Sequence, residues 1–221
     1  MPDFMFTKAL DGLANGNLAP FFSYLILIGT VMFSICLHEF SHAYVAFRLG
    51  DDTAAQEGHL SMNPMIQMGP ISLIILFVIG FAWGAVPVNP RNFEHRRDMM
   101  LVALAGPLAN LFLCILAGIV LTFIAVPLGN GTIPKEVFTF FYTLGVMNAL
   151  LFIFNLIPLP VLDGYKILSY FVPHCENIDS GMAGNITLMG MMVMFMTPPL
   201  MKGLWDAADG LLNVFYFSPA F

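Results

Sequence analysis

Charge is what this sequence has least of. Asp, Glu, Lys and Arg make up 10% of its 221 residues, whereas a soluble domain carries about 25%. The shortage excludes an ordinary water-soluble domain. No Lys/Arg-rich run is present, which excludes an electrostatic surface for nucleic acid. Cysteine is scarce as well. Cys36, Cys114 and Cys175 are far apart and two of them fall in apolar segments, so they read as small hydrophobes and not as a disulfide framework or a thiolate metal site. The first apolar run lacks a basic stretch ahead of it, so it does not read as a cleaved leader. Repeats and linkers are missing too, and one domain over residues 1–221, with a core at 20–173, is the expectation.

What is abundant is hydrocarbon. The chain is 58% hydrophobic, with a mean hydropathy of +0.82. It reads as an all-α polytopic membrane protein, a bundle of about four to six membrane helices. Full spans are expected at 20–49, 99–128, 137–157 and 180–201. Residues 1–17 read as a short tail or surface segment, and 203–221 as a half-polar segment, too short to span, at the interface. The apolar stretch 69–83 is too short to cross, since fifteen helical residues reach only ~22 Å. Pro87 and Pro90 follow it and impose an extended path. Residues 69–90 therefore read as a re-entrant element, a short helix followed by an extended β segment, lining a protein-covered cavity. Thr53 to Met62 reads as loop with short extended pieces. The basic cluster Arg91–Arg97 is expected on the cytoplasmic side.

One motif stands out inside the first span. His38-Glu-Phe-Ser-His42 reads H-E-x-x-H, and residues 18–37 before it carry no charge. Residues four apart share a helical face, so His38 and His42 can aim two imidazoles at one zinc ion. Glu39 is placed beside them to act on a water as general base. A third ligand is needed. Asp163 follows the helix-breaking Pro158 and Pro160 near membrane depth, where a lone carboxylate needs a cation. His174 is a weaker candidate. His59 and His95 read as loop residues. Asn110 is a bare amide in an apolar helix and needs a partner, for helix packing or for the site. If 69–90 is re-entrant, the histidines and Asp163 fall in the same half of the membrane.

With these residues in view, the chain resembles the site-2 protease family of intramembrane zinc metalloproteases, peptidase family M50, in a compact form without PDZ or CBS domain. The resemblance rests on His38-Glu-Phe-Ser-His42, Asn63-Pro64, Val86-Pro-Val-Asn-Pro-Arg-Asn92, Ala105-Gly-Pro-Leu-Ala-Asn110 and Asn155-Leu-Ile-Pro-Leu-Pro-Val-Leu-Asp-Gly164, in the family's order. It implies one Zn2+ per chain held by His38, His42 and Asp163, with Glu39 as base. It implies that Asn155 helps to hold the oxyanion or the substrate. It implies an integral protein of a bacterial-type cell membrane, with its active site toward the cytoplasm. The substrate would be a transmembrane protein or peptide, cleaved in or near its membrane segment. Gln67, Gly69, Gly84 and Tyr165 depart from the family's usual pattern and bear on the substrate groove. A membrane zinc transporter, or a metal-binding membrane protein without protease activity, is the alternative. It needs a second ligand constellation, and 99–128 and 137–157 contain no His, Asp or Glu.

Overall fold

The computed structural model describes residues 5–129, 133–172 and 180–216. His174 and Cys175 lie outside the described residues. The apolar runs form helices close to where hydropathy puts them. A short helix α1 (Met5–Ala14) leads into α2 (Ala19–Arg48). Two single turns, α3 (Thr53–Gln56) and α4 (Pro64–Gln67), precede α5 (Gly69–Ile79). The long helices α6 (Arg96–Gly129) and α7 (Lys135–Asn155) come next. The chain ends in α8 (Asp163–Phe171), α9 (Ser180–Met196) and α10 (Pro198–Phe215).

Among the described residues three helices, α2, α6 and α7, are long and apolar enough to cross a membrane, and the α9–α10 pair makes a fourth span if counted as one. That is the lower edge of the expected count. The break in the last pair comes at Thr197, with a bend of 88°. Pro198 and Pro199 follow at once and cannot donate the hydrogen bonds that would carry α9 onward. The expected half-polar segment after residue 203 belongs to α10, which packs against the bundle. Ala208 and Leu212 of α10 are buried with Cys114 and Leu121 of α6 and with Val146 and Ala149 of α7. Residues 5–14 form a mostly exposed surface helix, seated on α2 through Ala9, which is buried with Tyr24 and Ile28. Cys36 and Cys114 are free thiols in apolar surroundings, as expected of small hydrophobes.

The re-entrant segment corrects the sequence reading in one respect. The short helix is there, and the chain after it runs back without regular structure to a single 3-10 turn at Pro90–Asn92. Among the described residues it forms no β-strand. Pro87 and Pro90 remove two donors, and side chains, with one backbone carbonyl, take the bonds a ladder would have made. Ser72 Oγ donates to Trp83 O at 2.7 Å and accepts from Trp83 N at 2.9 Å. Ala85 N donates to Gln67 O at 3.2 Å. Asn89 N donates to Asp51 Oδ2 at 2.8 Å, and Asn92 Nδ2 to Asp51 Oδ1 at 2.7 Å. The loop is thus pinned to α5, α4 and the end of α2. The expected extended pieces in 53–62 are also absent, replaced by the turn α3.

Candidate active site

His38, Glu39 and His42 lie on the last third of α2, and all three are buried. Asp163 is the first residue of α8. After α7, Pro158 and Pro160 prevent helical continuation. The chain turns through Leu159 N to Ile157 O and Leu162 N to Leu159 O, both 2.8 Å. Asp163 emerges from that bend against α2. Its Oδ2 lies 3.1 Å from His38 Nε2 and 3.1 Å from His42 Nε2, and the two Nε2 atoms are 3.0 Å apart. Among the described residues these three form the one group of His, Cys, Asp or Glu side chains placed to share a metal ion.

Proton positions make the group informative. His42 Nδ1 is 2.7 Å from Val102 O, a pure acceptor, so Nδ1 carries the proton. For His38 the argument runs through three further side chains. Asn148 Nδ2 donates to Leu144 O and to Ser34 Oγ, both at 2.8 Å, so its Oδ1 must face Asn110. Asn110 Nδ2 donates to that oxygen at 2.9 Å, which turns Asn110 Oδ1 toward His38 Nδ1 at 2.6 Å. His38 therefore also donates from Nδ1. With both rings neutral, the form in which histidine binds a metal, two Nε2 lone pairs and a carboxylate oxygen converge.

Three such acceptors in mutual contact need a cation. Tetrahedral zinc with bonds of ~2.0–2.1 Å sets its ligand atoms roughly 3.3 Å apart, close to the spacings here. The outer nitrogens are anchored in the way that fixes a histidine ligand. Room for the ion is kept by Gly106 of α6, where a Cβ would collide with the Nε2 atoms of both histidines. The donor set, the tautomers and the cradle all fit zinc.

The group opens onto a cavity of about 700 Å³. Glu39 and Asn155 line it, beside the loop residues Trp83 and Gly84. Gly84 lies directly against Glu39, and a Cβ there would strike the glutamate carboxyl. The departure from the family pattern at this position thus has a steric meaning. Asn155 sits at the end of α7 and donates from Nδ2 to Leu151 O at 3.0 Å, leaving its second N–H for the cavity. The far wall comes from α9 and α10, with Met191, Met194, Phe195 and Trp205.

The five residues singled out from sequence share one cavity. Asn110, left open between packing and site, does both. Sequence reading missed Asn148, Ser34 and Lys166. Asn148 and Ser34 look like ordinary small polar residues of apolar helices, and only their mutual contact reveals a function. Lys166 stands three residues after Asp163 and so on the same helical face, a signal available in the sequence. His59 is a loop residue, as expected, and it is buried. Its Nδ1 lies 3.0 Å from Gln67 Oε1, and Gln67 Nε2 donates to His59 O at 2.8 Å. This pair braces the turn that holds Ala85. His95 is exposed as expected.

Comparison with known proteins gives the family. The sequence profile of peptidase family M50 matches residues 123–198, which include Asn155 and Asp163. The chain is 35% identical over 200 residues to the Bacillus subtilis (strain 168) protein named "Putative zinc metalloprotease YwhC", covering 86% of this chain and 90% of that protein. The chain belongs to peptidase family M50. A second M50 relative, from Mycolicibacterium smegmatis, is named "Putative zinc metalloprotease Rip2". It is 34% identical over 159 residues, covering 68% of this chain and 58% of that one. The Mycobacterium tuberculosis (strain H37Rv) protein of the same name is 31% identical, covering 80% and 69%. No solved structure gives a significant match. As an M50 member the chain is a membrane-embedded zinc metallopeptidase, a hydrolase with Zn2+ as cofactor.

Proposed function

We propose that the chain is an intramembrane protease that hydrolyses peptide bonds in or near the membrane segments of other proteins, within regulated intramembrane proteolysis. The observation that carries this reading is the buried His38–His42–Asp163 group facing an apolar cavity inside a helical bundle. A soluble peptide would gain nothing from such walls, whereas an unwound membrane segment would.

In this reading His38 Nε2, His42 Nε2 and Asp163 Oδ2 hold the zinc. When bound, zinc supplies Lewis acidity, which acidifies a water molecule and polarises a carbonyl group. Glu39 takes a proton from the attacking water and returns it to the leaving nitrogen. The free N–H of Asn155 donates to the carbonyl oxygen as charge develops there. The loop 80–88 offers irregular backbone beside the cavity with which an extended substrate can pair. The bilayer is the working environment and 1–221 a single domain. The site faces the cytoplasm of a bacterial-type cell, a reading supported by Arg91, Arg96 and Arg97 at the base of the loop.

The test is cleavage of a membrane-helix substrate by purified protein in detergent. Turnover should depend on added zinc and vanish in Glu39→Gln. Zinc flux through liposomes without any proteolysis would overturn the proposal in favour of transport.

A further inference from the structure

We propose that Lys166 is a further catalytic residue, whose ammonium group binds the substrate's carbonyl oxygen as that oxygen becomes an oxyanion. The inference rests on the site reading just given and extends it.

Lys166 lies one turn after Asp163 on α8, and it lines the same cavity. Its Nζ is 3.3 Å from Asp163 Oδ1, while the other oxygen of that carboxylate faces both imidazoles. The ammonium thus stands one carboxylate away from the point where the three ligand atoms meet. It is the one lysine or arginine among the described residues that line the cavity. The nearby cation Arg96 is committed elsewhere, donating to Ser169 O at 2.7 Å and lying over the Tyr170 ring.

An ammonium among apolar walls is costly unless its charge is used. A bond to Asp163 uses part of it. The side chain nonetheless keeps 40% of its surface exposed, and its stem is flexible. As the water oxygen bonds to the carbonyl carbon, one water proton passes to Glu39 and the π pair moves onto the carbonyl oxygen. Negative charge appears there for the first time. A cation in reach of that oxygen stabilises the transition state more than the neutral substrate, which is what acceleration requires. Asn155 spends one of its two N–H groups on Leu151 O, so the oxyanion has room for a second partner.

The test compares Lys166→Met, Lys166→Gln and Lys166→Arg with the unchanged chain in detergent. Zinc per chain is measured, with kcat and KM for a membrane-helix peptide. Affinity is measured for a phosphinic peptide, whose anionic tetrahedral group mimics the oxyanion. In a Glu39→Gln background, binding of the intact amide peptide is measured as well. Lys166→Met should keep its zinc and lower kcat roughly 100-fold, with KM within about twofold. It should weaken phosphinic binding while amide binding stays unchanged, and Lys166→Arg should recover most of the loss. If the Met variant does not fold, Lys166→Gln carries the same expectation. Loss of zinc in step with activity would overturn the proposal, since Lys166 would then only brace Asp163. So would an unchanged kcat, or a change in KM alone. Controls separate this from the underlying reading. Should His38→Ala keep its zinc, or Glu39→Gln its turnover, the site assignment itself fails. Should those controls behave while Lys166→Met is normal, only the role of Lys166 fails.

Discussion

Asn148 and His38 do not touch, yet Asn148 fixes which nitrogen of His38 is bare. Its two N–H groups are used on Leu144 and Ser34, which leaves its oxygen for Asn110 and Asn110's oxygen for His38. Replacing Asn148 with Leu removes the constraint and lets Asn110 flip. We expect zinc affinity to fall about 10–100-fold, read by competition with a chelator, with helical content preserved. Wild-type affinity in that variant would refute the relay.

The ligand set gives a second expectation. His42→Ala and Asp163→Ala should each lose zinc, whereas Glu39→Gln should keep it and lose turnover. Elemental analysis alongside a cleavage assay separates these cases. Full zinc in Asp163→Ala would remove Asp163 from the ligand set.

Asn155→Ala should keep zinc and substrate binding while losing much of kcat, since one well-placed donor is worth ~2.7–4 kcal/mol at an oxyanion. The competing role is a brace for the proline bend, because Asn155 also bonds back to Leu151. In that case thermal stability in detergent and zinc content would fall together with activity.

Two glycines should fail differently. Gly106→Ala puts a methyl group among the ligand nitrogens, so zinc binding should be lost outright. Gly84→Ala presses on the carboxyl of Glu39, which supplies the three atoms nearest the new methyl, so zinc should remain while kcat drops. Equal zinc loss in both would contradict the separation of base and ligands.

Asp51 supplies a pH dependence. Burial raises its carboxyl pKa, but hydrogen bonds from Thr53, Asn89 and Asn92 outweigh burial and hold it below the ordinary value. The unfolded chain therefore takes up this proton first as pH falls. Stability from Asp51 is complete above about pH 4 and is lost as pH drops through the lower, folded value. Thermal unfolding across acidic pH should show this slope, and Asp51→Asn should flatten it. An unchanged slope would mean that other carboxylates carry it.

Much of this architecture was legible in the sequence because its signals are periodic or local. The membrane helices follow from uninterrupted apolar runs, and the His38–His42 pair from one helical turn. The expected approach of Asp163 followed from the short length of 69–83, which leaves an even number of crossings, 99–128 and 137–157, between the two groups. What was not legible depended on contacts distant in the chain. Gln67 meets His59 eight residues away in a turn with no helical period. Asp51 meets Asn89 and Asn92 about forty residues on. A strand was expected at 84–90 because proline enforces extension, but extension makes a strand only where a partner edge exists. Here side chains took the available bonds.

The wall that α9 contributes to the cavity is built largely of thioethers, Met191 and Met194 beside Phe195. Unbranched and polarisable, such side chains remould around whatever enters. A mouldable wall reads shape poorly. Under the proposed function, selection then falls on an earlier event, the ease with which a guest helix gives up its own backbone bonds. We expect helix-loosening residues near the scissile bond to govern cleavage more than side-chain size does, which a scan of glycine, proline and bulky substitutions in one substrate would decide.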